Sequence, residues 1–480
     1  MKYAKPKRFD TNLIVIGAGS AGLIASLIAA TVRAKVTLIE KARMGGDCLN
    51  TGCVPSKTLI RSAKIAHYVK YAQRYGLRDV TGTVDFGAVM QRVRDAIATI
   101  APNDSIERYT SLGVDCVTGN ARIVDPWTVE VDGRRLTAPN IVVATGAAAF
   151  VPPIPGIESV RVLTSDNVWS LAELPPRLVV MGAGPIGCEL AQGFQRLGSQ
   201  VTLIDMADRV LPKEDTDVSA LIADVLRREG VNVLTGYKAA RFDGANVLIA
   251  QEGGRTVALP FDEVLVAVGR RARTQSLGLE ELGIGLNRDG SVVVDEFMRT
   301  SVPSILACGD VAGPYQFTHM ASHQAWYASV NALFGRFRKF KVNYSVVPWA
   351  TYTDPEVARV GLSVDEATAK GIDFEVTRHD LAHVDRAIAD GETRGFIKVL
   401  TQRGSDRILG ATIVAPQAGE LLAEYVLAMT HGLGLKKIMG TIHIYPTNAE
   451  INKFVANGWR RNHAPMGLLK FAERFHALWR

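Results

Sequence analysis

Two stretches of the chain carry the same succession of apolar and polar positions. Leu13 to Glu40 reads LIVIGAGSAGLIASLIAATVRAKVTLIE, and Leu178 to Asp205 reads LVVMGAGPIGCELAQGFQRLGSQVTLID. Each opens as a β-branched strand, breaks at clustered glycines, continues as a helix and returns to an alternating strand closed by an acid. The spacing from first glycine to closing acid is the same, Gly17 to Glu40 and Gly182 to Asp205. Leu13 to Val32 holds 20 residues without a charge, the length of a membrane-spanning helix. Its three glycines and its flanking strands point instead to a buried strand–turn–helix.

Elsewhere the pattern predicts one long helix from Asp85 to a glycine cap at Gly113. Short strands follow over 114–150, ending in IVVATG before a Pro-rich crossing, VPPIPG. A second crossing, LPPR, precedes the second glycine cluster. Residues 231–270 give further short strands ending in VLVAVGR, and SILACGDVAG at 304–313 reads as a strand and a glycine–acid turn. Beyond Pro348 the pattern changes to strands and then helices, an α+β stretch. The fold class expected is α/β, with two Rossmann-like dinucleotide-binding domains and a third, C-terminal α+β domain.

Composition adds bounds. A chain of 480 residues suits three domains at roughly 150 each. With 47% hydrophobic and 21% charged residues it is globular, not disordered. A formal charge of +7 is mild at this length, and no nucleic-acid partner is expected. Five cysteines are too few and too odd in number for a disulfide framework, so a reducing, cytoplasmic setting is expected.

The paired glycine clusters have a physical reading. The first glycine permits a tight turn, the second lets backbone approach a pyrophosphate, and the third lets helix and strand pack closely. The pyrophosphate then lies at a helix N-terminus, where free N–H groups favour negative charge. Glu40 and Asp205 are placed to accept from adenosine ribose hydroxyls. An acid also repels a 2′-phosphate, which favours NAD(H) over NADP(H) at Asp205; Arg209, four residues on, is the contrary feature.

Directly after Glu40 comes GGDCLNTGCVPSK, Gly45 to Lys57. Cys48 and Cys53 lie rather more than one helical turn apart, close enough to pair if the helix start is distorted. A helix N-terminus there lowers a thiol pKa. A metal pair would need further ligands that the neighbouring sequence lacks, so no resident metal is expected and a redox pair is.

These motifs together resemble the pyridine nucleotide–disulfide oxidoreductase family, in the branch holding dihydrolipoamide dehydrogenases, glutathione reductases and mercuric reductases. The resemblance rests on GAGSAG with Glu40, GGDCLNTGCVPSK, VVATG, GAGPIG with Asp205, the AVGR turn, ACGD and TYTDPEVARVG. It implies an FAD-binding domain over 1–150 and 275–345, an NAD(P)H-binding domain over 151–274 and a dimerisation domain over 346–480. FAD would sit on Gly17, Gly19 and Gly22 with Glu40 and Asp310, and the nicotinamide cofactor on Gly182, Gly184 and Gly187 with Asp205. Further cofactor positions implied are Gly46, Thr145, Gly146, Gly269 and Gly309. Hydride would pass to flavin and electrons on to a Cys48–Cys53 disulfide, with Cys53 against the flavin and Cys48 meeting the acceptor. Lys57 and Glu189 would pair beside the flavin. The chain would act as a homodimer with shared active sites, on a disulfide or dithiol as a dihydrolipoamide dehydrogenase does.

One motif departs from the family. Its disulfide reductases carry H-P-x-x-x-E from the partner subunit, where the histidine serves as acid and base. Here the stretch reads His443-Ile444-Tyr445-Pro446-Thr447-Asn448-Ala449-Glu450, with tyrosine before the proline. A phenol is a poor base at neutral pH, and alternate residues of an extended segment face opposite ways. Mercuric reductases have a tyrosine near this place, but also a C-terminal cysteine pair, which the tail MGLLKFAERFHALWR lacks. A soft metal-ion reductase is therefore one alternative, and a membrane-associated electron relay or redox sensor is another. In the tail, Leu468, Phe471, Phe475 and Leu478 fall at helical spacing beside Lys470, Arg474 and Arg480, as a helix packed on its own dimer or, second, an interfacial membrane helix. His319 and His323 are expected to pack rather than to hold a metal, and Cys116, Cys188 and Cys308 are expected to be buried thiols.

Overall fold

The computed structural model describes residues 3–480. Its Cα positions divide into two compact units, residues 3–208 with 227–343, and residues 209–226 with 344–480.

The first unit begins as the apolar pattern predicts. β1 (Leu13–Ile16) is buried along its whole length, as a central strand of a parallel sheet must be. It runs into α1 (Ser20–Thr31) and returns as β2 (Val36–Glu40). Strand β3 (Val114–Thr118) pairs with β2, while Ile141–Val143 and then Ile305–Ala307 extend the other side of β1, all parallel. The second glycine cluster builds a like sheet from Arg177–Met181, Gln200–Asp205, Asn232–Thr235, Glu263–Val266 and Val162–Leu163. Antiparallel three-stranded meanders at 121–137 and 238–260 complete the unit.

Glycine is required at two points in each copy. Gly17 has φ +102°, and a side chain there would sit 2.5 Å from the Ala144 carbonyl oxygen. Gly182 has φ +105°, with the Ala267 oxygen at the same 2.5 Å. At Gly22 and Gly187 a Cβ would fall 1.7 Å from the carbonyl oxygen of the first glycine. Only glycine lets helix and strand approach this closely.

The single helix expected from Asp85 to Gly113 is two. α4 (Phe86–Ile100) is capped by Asp85, whose carboxylate accepts from the Ala88 N–H at 2.9 Å. A tight turn at Ala101–Asp104 follows, and a further helix starts at Ile106, capped by the Ser105 hydroxyl. Pro102 has no N–H to continue the ladder, and Ser105 offers a competing start. Cys188 and Cys308 are buried thiols as expected, whereas Cys116 on the edge strand β3 is only half-buried.

The second unit is a five-stranded antiparallel sheet in the order 348–351, 356–361, 408–415, 396–402, 374–380, with helices 423–430, 435–440 and 450–462. Its interior holds two ionic clusters. Lys398 lies 2.6 Å from Asp215 and 2.7 Å from Asp217. Arg359, fully buried, meets Glu214 at 3.2 Å and Glu366 at 3.0 Å and stacks on the Trp349 ring. Burial alone would raise the Asp215 pKa; the Lys398 ammonium and the amides of Asp365 and Val364 bring it below the ordinary carboxylate value.

Candidate active site

The two nucleotide turns present the same hardware. Gly19 precedes α1 and no side chain caps that helix, so its first N–H groups are left for an anion. At the end of β2, Glu40 Oε2 accepts from the Ala18 N–H at 2.7 Å and Oε1 from the Ala42 N–H at 2.8 Å. In the second copy Gly184 precedes the uncapped helix Pro185–Leu197, and Asp205 accepts from the N–H groups of Ala183 (2.5 Å) and Ala207 (2.8 Å). Each carboxylate is thus fixed at its strand end with lone pairs left for ribose hydroxyls. Arg209 donates to Thr216 at 2.8 Å and to Asp365 at 3.1 Å.

The residues fit a bound flavin dinucleotide. Gly46 has φ +57°, and a Cβ there would meet the Gly19 Cα at 2.5 Å, so both backbones crowd the helix N-terminus where a pyrophosphate belongs. Thr145 and Gly146 follow the strand Ile141–Val143; the Thr145 hydroxyl donates to the Arg273 carbonyl at 2.7 Å. Gly309 donates its N–H to Gln324 Oε1 at 2.7 Å, and Gly269 lies at φ +139°. Burial, with the Asp47 carboxylate and Cys53 nearby, raises the Asp310 pKa to about 6. Arg270 Nε is 3.9 Å from Asp310 and is buried without a hydrogen-bond partner among the described residues.

The cysteines stand on two helices rather than one. α2 (Gly46–Asn50) carries Cys48 and α3 (Cys53–Lys70) begins at Cys53. The chain breaks between them, with Thr51 and Gly52 N–H groups both turned back to the Asp47 carbonyl. This break supplies the distorted helix start that pairing needs. The two sulfurs stand in mutual hydrogen-bond contact. That bond pushes the Cys48 thiol far up, helped by burial. It brings Cys53 down to about 6 against the opposing effect of burial, with the Thr318 hydroxyl, 3.4 Å from the sulfur, and the Lys57 ammonium adding to the fall. The same contact thus drives the two groups apart, Cys53 toward the thiolate and Cys48 toward the thiol. Lys57, one turn along α3, bonds Glu189 of the helix Pro185–Leu197 at 2.8 Å, with the Glu189 side chain almost wholly buried.

Four neighbours have no counterpart among the sequence expectations. Thr318 touches Cys53 from 265 residues away, a proximity that only tertiary folding creates. Asp47 sits inside the cysteine motif and is gripped by Arg270 and, at 3.4 Å, by Arg273. An acid so near a pyrophosphate turn was a legible oddity, but its arginine partners were not.

His443, Tyr445 and Glu450 belong to the C-terminal unit. Both ring nitrogens of His443 face acceptors, Nδ1 the Thr441 carbonyl and Nε2 both oxygens of Glu424, each at 3.1 Å. Tyr445 is exposed, and its hydroxyl donates to Asp385 at 3.2 Å, which raises the phenol pKa further. Glu450 is buried at the start of its helix, and Oε2 has no hydrogen-bond partner among the described residues. His319 and His323 share the helix Thr318–Phe334; His323 Nε2 lies 2.9 Å from the Asn343 carbonyl and His319 stacks on Phe317. Among the described residues no group of three or more His, Cys, Asp or Glu is arranged to hold a metal, and no helix is long and apolar enough to cross a membrane.

Comparison with known proteins gives concordant results. Residues 11–325 match the family described as pyridine nucleotide-disulphide oxidoreductase, and residues 347–454 match its dimerisation domain. A mercuric reductase of Bacillus cereus is 34% identical over 92% of this chain and 70% of its own length. A dihydrolipoyl dehydrogenase of Chlamydia muridarum is 35% identical, covering 92% of this chain and 95% of its own. Among solved structures, the Cu(II) complex of the HOCl-induced flavoprotein disulfide reductase RclA from Escherichia coli superposes with a TM-score of 0.82 at 28% identity, over 93% of this chain and 99% of that one.

Proposed function

We propose that this chain, which belongs to the pyridine nucleotide-disulphide oxidoreductase family and so is an FAD-dependent, NAD(P)H-linked oxidoreductase with a domain for homodimer formation, oxidises NADH and reduces a small acceptor through Cys48 and Cys53. The observation that carries this reading is the cysteine pair itself: two sulfurs in hydrogen-bond contact at the break between α2 and α3, with the Lys57–Glu189 ion pair one turn along α3. Bound FAD supplies two-electron transfer between a nicotinamide and such a pair. Gly17, Gly19, Gly22, Gly46, Glu40 and Asp310 would hold it, and Gly182, Gly184, Gly187 and Asp205 the nicotinamide cofactor. Thr145, Gly146, Gly269 and Gly309 would close around the two.

The roles of the chain's own groups follow from their chemistry. Lys57 keeps a fixed positive charge where reduction adds negative charge. Cys53 holds the thiolate, and Cys48 keeps the proton that the acceptor's leaving sulfur requires. NADH is preferred because Asp205 repels a 2′-phosphate and Arg209 is engaged with Thr216 and Asp365. Each site is completed by Tyr445 and Glu450 of the partner subunit. The domain borders lie at 150, 274 and 345, and the setting is the reducing cytoplasm.

The family-typical acceptor is a disulfide or dithiol. A soft metal ion is the second reading, and Tyr445 favours it: a phenol held protonated by Asp385 is no general base for thiol exchange. Two relatives, a mercuric reductase and a Cu(II)-bound reductase, are consistent with that direction. Anaerobic NADH titration of the holoenzyme, followed by turnover with lipoamide, glutathione disulfide, Hg(II), Cu(II) and quinones, tests both. A preparation that NADH cannot reduce, or one whose turnover survives Cys48→Ala, overturns the thiol-pair reading.

A further inference from the structure

The last helix, Met466–Ala477, has no buried residue, and its hydrogen bonds continue the turn to Leu478 and Trp479. At 3.6 residues per turn, Leu468, Phe471, Phe475, Leu478 and Trp479 form one stripe. All five are exposed, Leu478 at 83% and Trp479 at 79%. Lys470 and Arg474, four residues apart, flank that stripe, and the opposite face carries Glu473 and Arg480.

The charge around this stripe is predominantly positive. From Lys453 to Arg480 the cations are Lys453, Arg460, Arg461, Lys470, Arg474 and Arg480, against the single acid Glu473. Long basic side chains beside an apolar stripe can lay their stems along hydrocarbon and keep their charge in a headgroup layer, and tryptophan is favoured at that boundary. The match to the dimerisation domain ends at residue 454, twelve residues before this helix begins at 466. Nucleic-acid binding fits less well, since the aromatic and aliphatic groups form a continuous apolar face with the cations beside it rather than interleaved. The other compact unit carries a separate exposed patch of like chemistry, Arg336, Phe337, Arg338 and Lys339, with Phe337 90% exposed.

From the contiguous apolar stripe and its cationic flanks, we propose that the C-terminal helix is an interfacial anchor that lies in the surface of an anionic lipid bilayer. It does not span the bilayer: at 12 residues it is too short. Its apolar stripe enters the acyl boundary, and Lys470, Arg474, Arg460 and Arg461 meet lipid phosphates.

The test uses the FAD-loaded full chain, sedimented with vesicles of phosphatidylcholine alone or of phosphatidylcholine mixed with phosphatidylglycerol. The bound fraction on the anionic vesicles is expected to be about tenfold higher and to fall with added salt. The double variant Phe471→Glu/Phe475→Glu and deletion of 466–480 should both abolish it while leaving FAD content and the gel-filtration mass unchanged. The proposal is overturned if binding is the same on both vesicle types, if either variant still binds, or if the variants dissociate the dimer, which would make this face a subunit contact. Displacement from vesicles by a homopolymeric RNA at equal charge would overturn it as well.

Discussion

At Cys53 a thiol becomes an anion because its neighbour does not. Cys53 releases its proton to solvent while Cys48 keeps its own, whose S–H donates to the new thiolate, and Thr318 and Lys57 add smaller contributions. Alkylation of Cys53 in the reduced enzyme should therefore rise with pH through about 6 and level off above it. In Cys48→Ala the main donor is gone, so the midpoint should move up toward the ordinary thiol value of about 8.5. Iodoacetamide labelling followed by peptide mass analysis reads it, and an unchanged midpoint would show that Lys57 and Thr318, not Cys48, set the charge. Tyr445 is the opposite case, a group held protonated. Replacing it by histidine should raise lipoamide turnover by about tenfold, because histidine titrates near neutrality and can shuttle the proton. No gain in a kcat comparison would leave the phenol without a part in acceptor choice.

The two strand–turn–helix elements were fully legible in the sequence, because every residue that dictates them is local: apolar β-branched runs, glycines at fixed spacing and a closing acid. The break at Pro102 was visible as a residue but was outweighed by the helical period on either side of it. The ionic clusters of the C-terminal unit were not legible at all. Lys398 stands in an apolar strand, FIKVLTQ, and its carboxylate partners are more than 180 residues earlier. With Lys398 and Asp215 both buried, Lys398→Met leaves a carboxylate without its cation, and should cost about 3 kcal/mol in guanidinium unfolding of this element. The pH dependence has a definite sign. Asp215 has a lowered pKa when folded, so its contribution is complete above the unfolded carboxylate value and is lost as pH falls through the folded one. Wild type should then lose stability on acidification below about pH 4 more steeply than the variant does. Parallel curves would assign the lysine a packing role only.

For the whole molecule, the decisive matter is which chain supplies the second half of each site. The thiol pair with its ion pair belongs to the first compact unit, and Tyr445 with the buried Glu450 belongs to the second. Glu450 carries an oxygen with no hydrogen-bond partner among the described residues, an expensive arrangement unless a group from another chain meets it. If sites are shared across the homodimer, two inactive variants should rescue one another. A Cys53→Ala chain still offers an intact Glu450, and a Glu450→Ala chain still offers an intact thiol pair. When the two are denatured and refolded together, half of the dimers are mixed and each mixed dimer contains one complete site. Recovered NADH-linked turnover should approach about a quarter of wild type, while each variant refolded alone stays inactive. Were each site built from a single chain, the mixture would be as inactive as its parts, because no chain in it carries both halves.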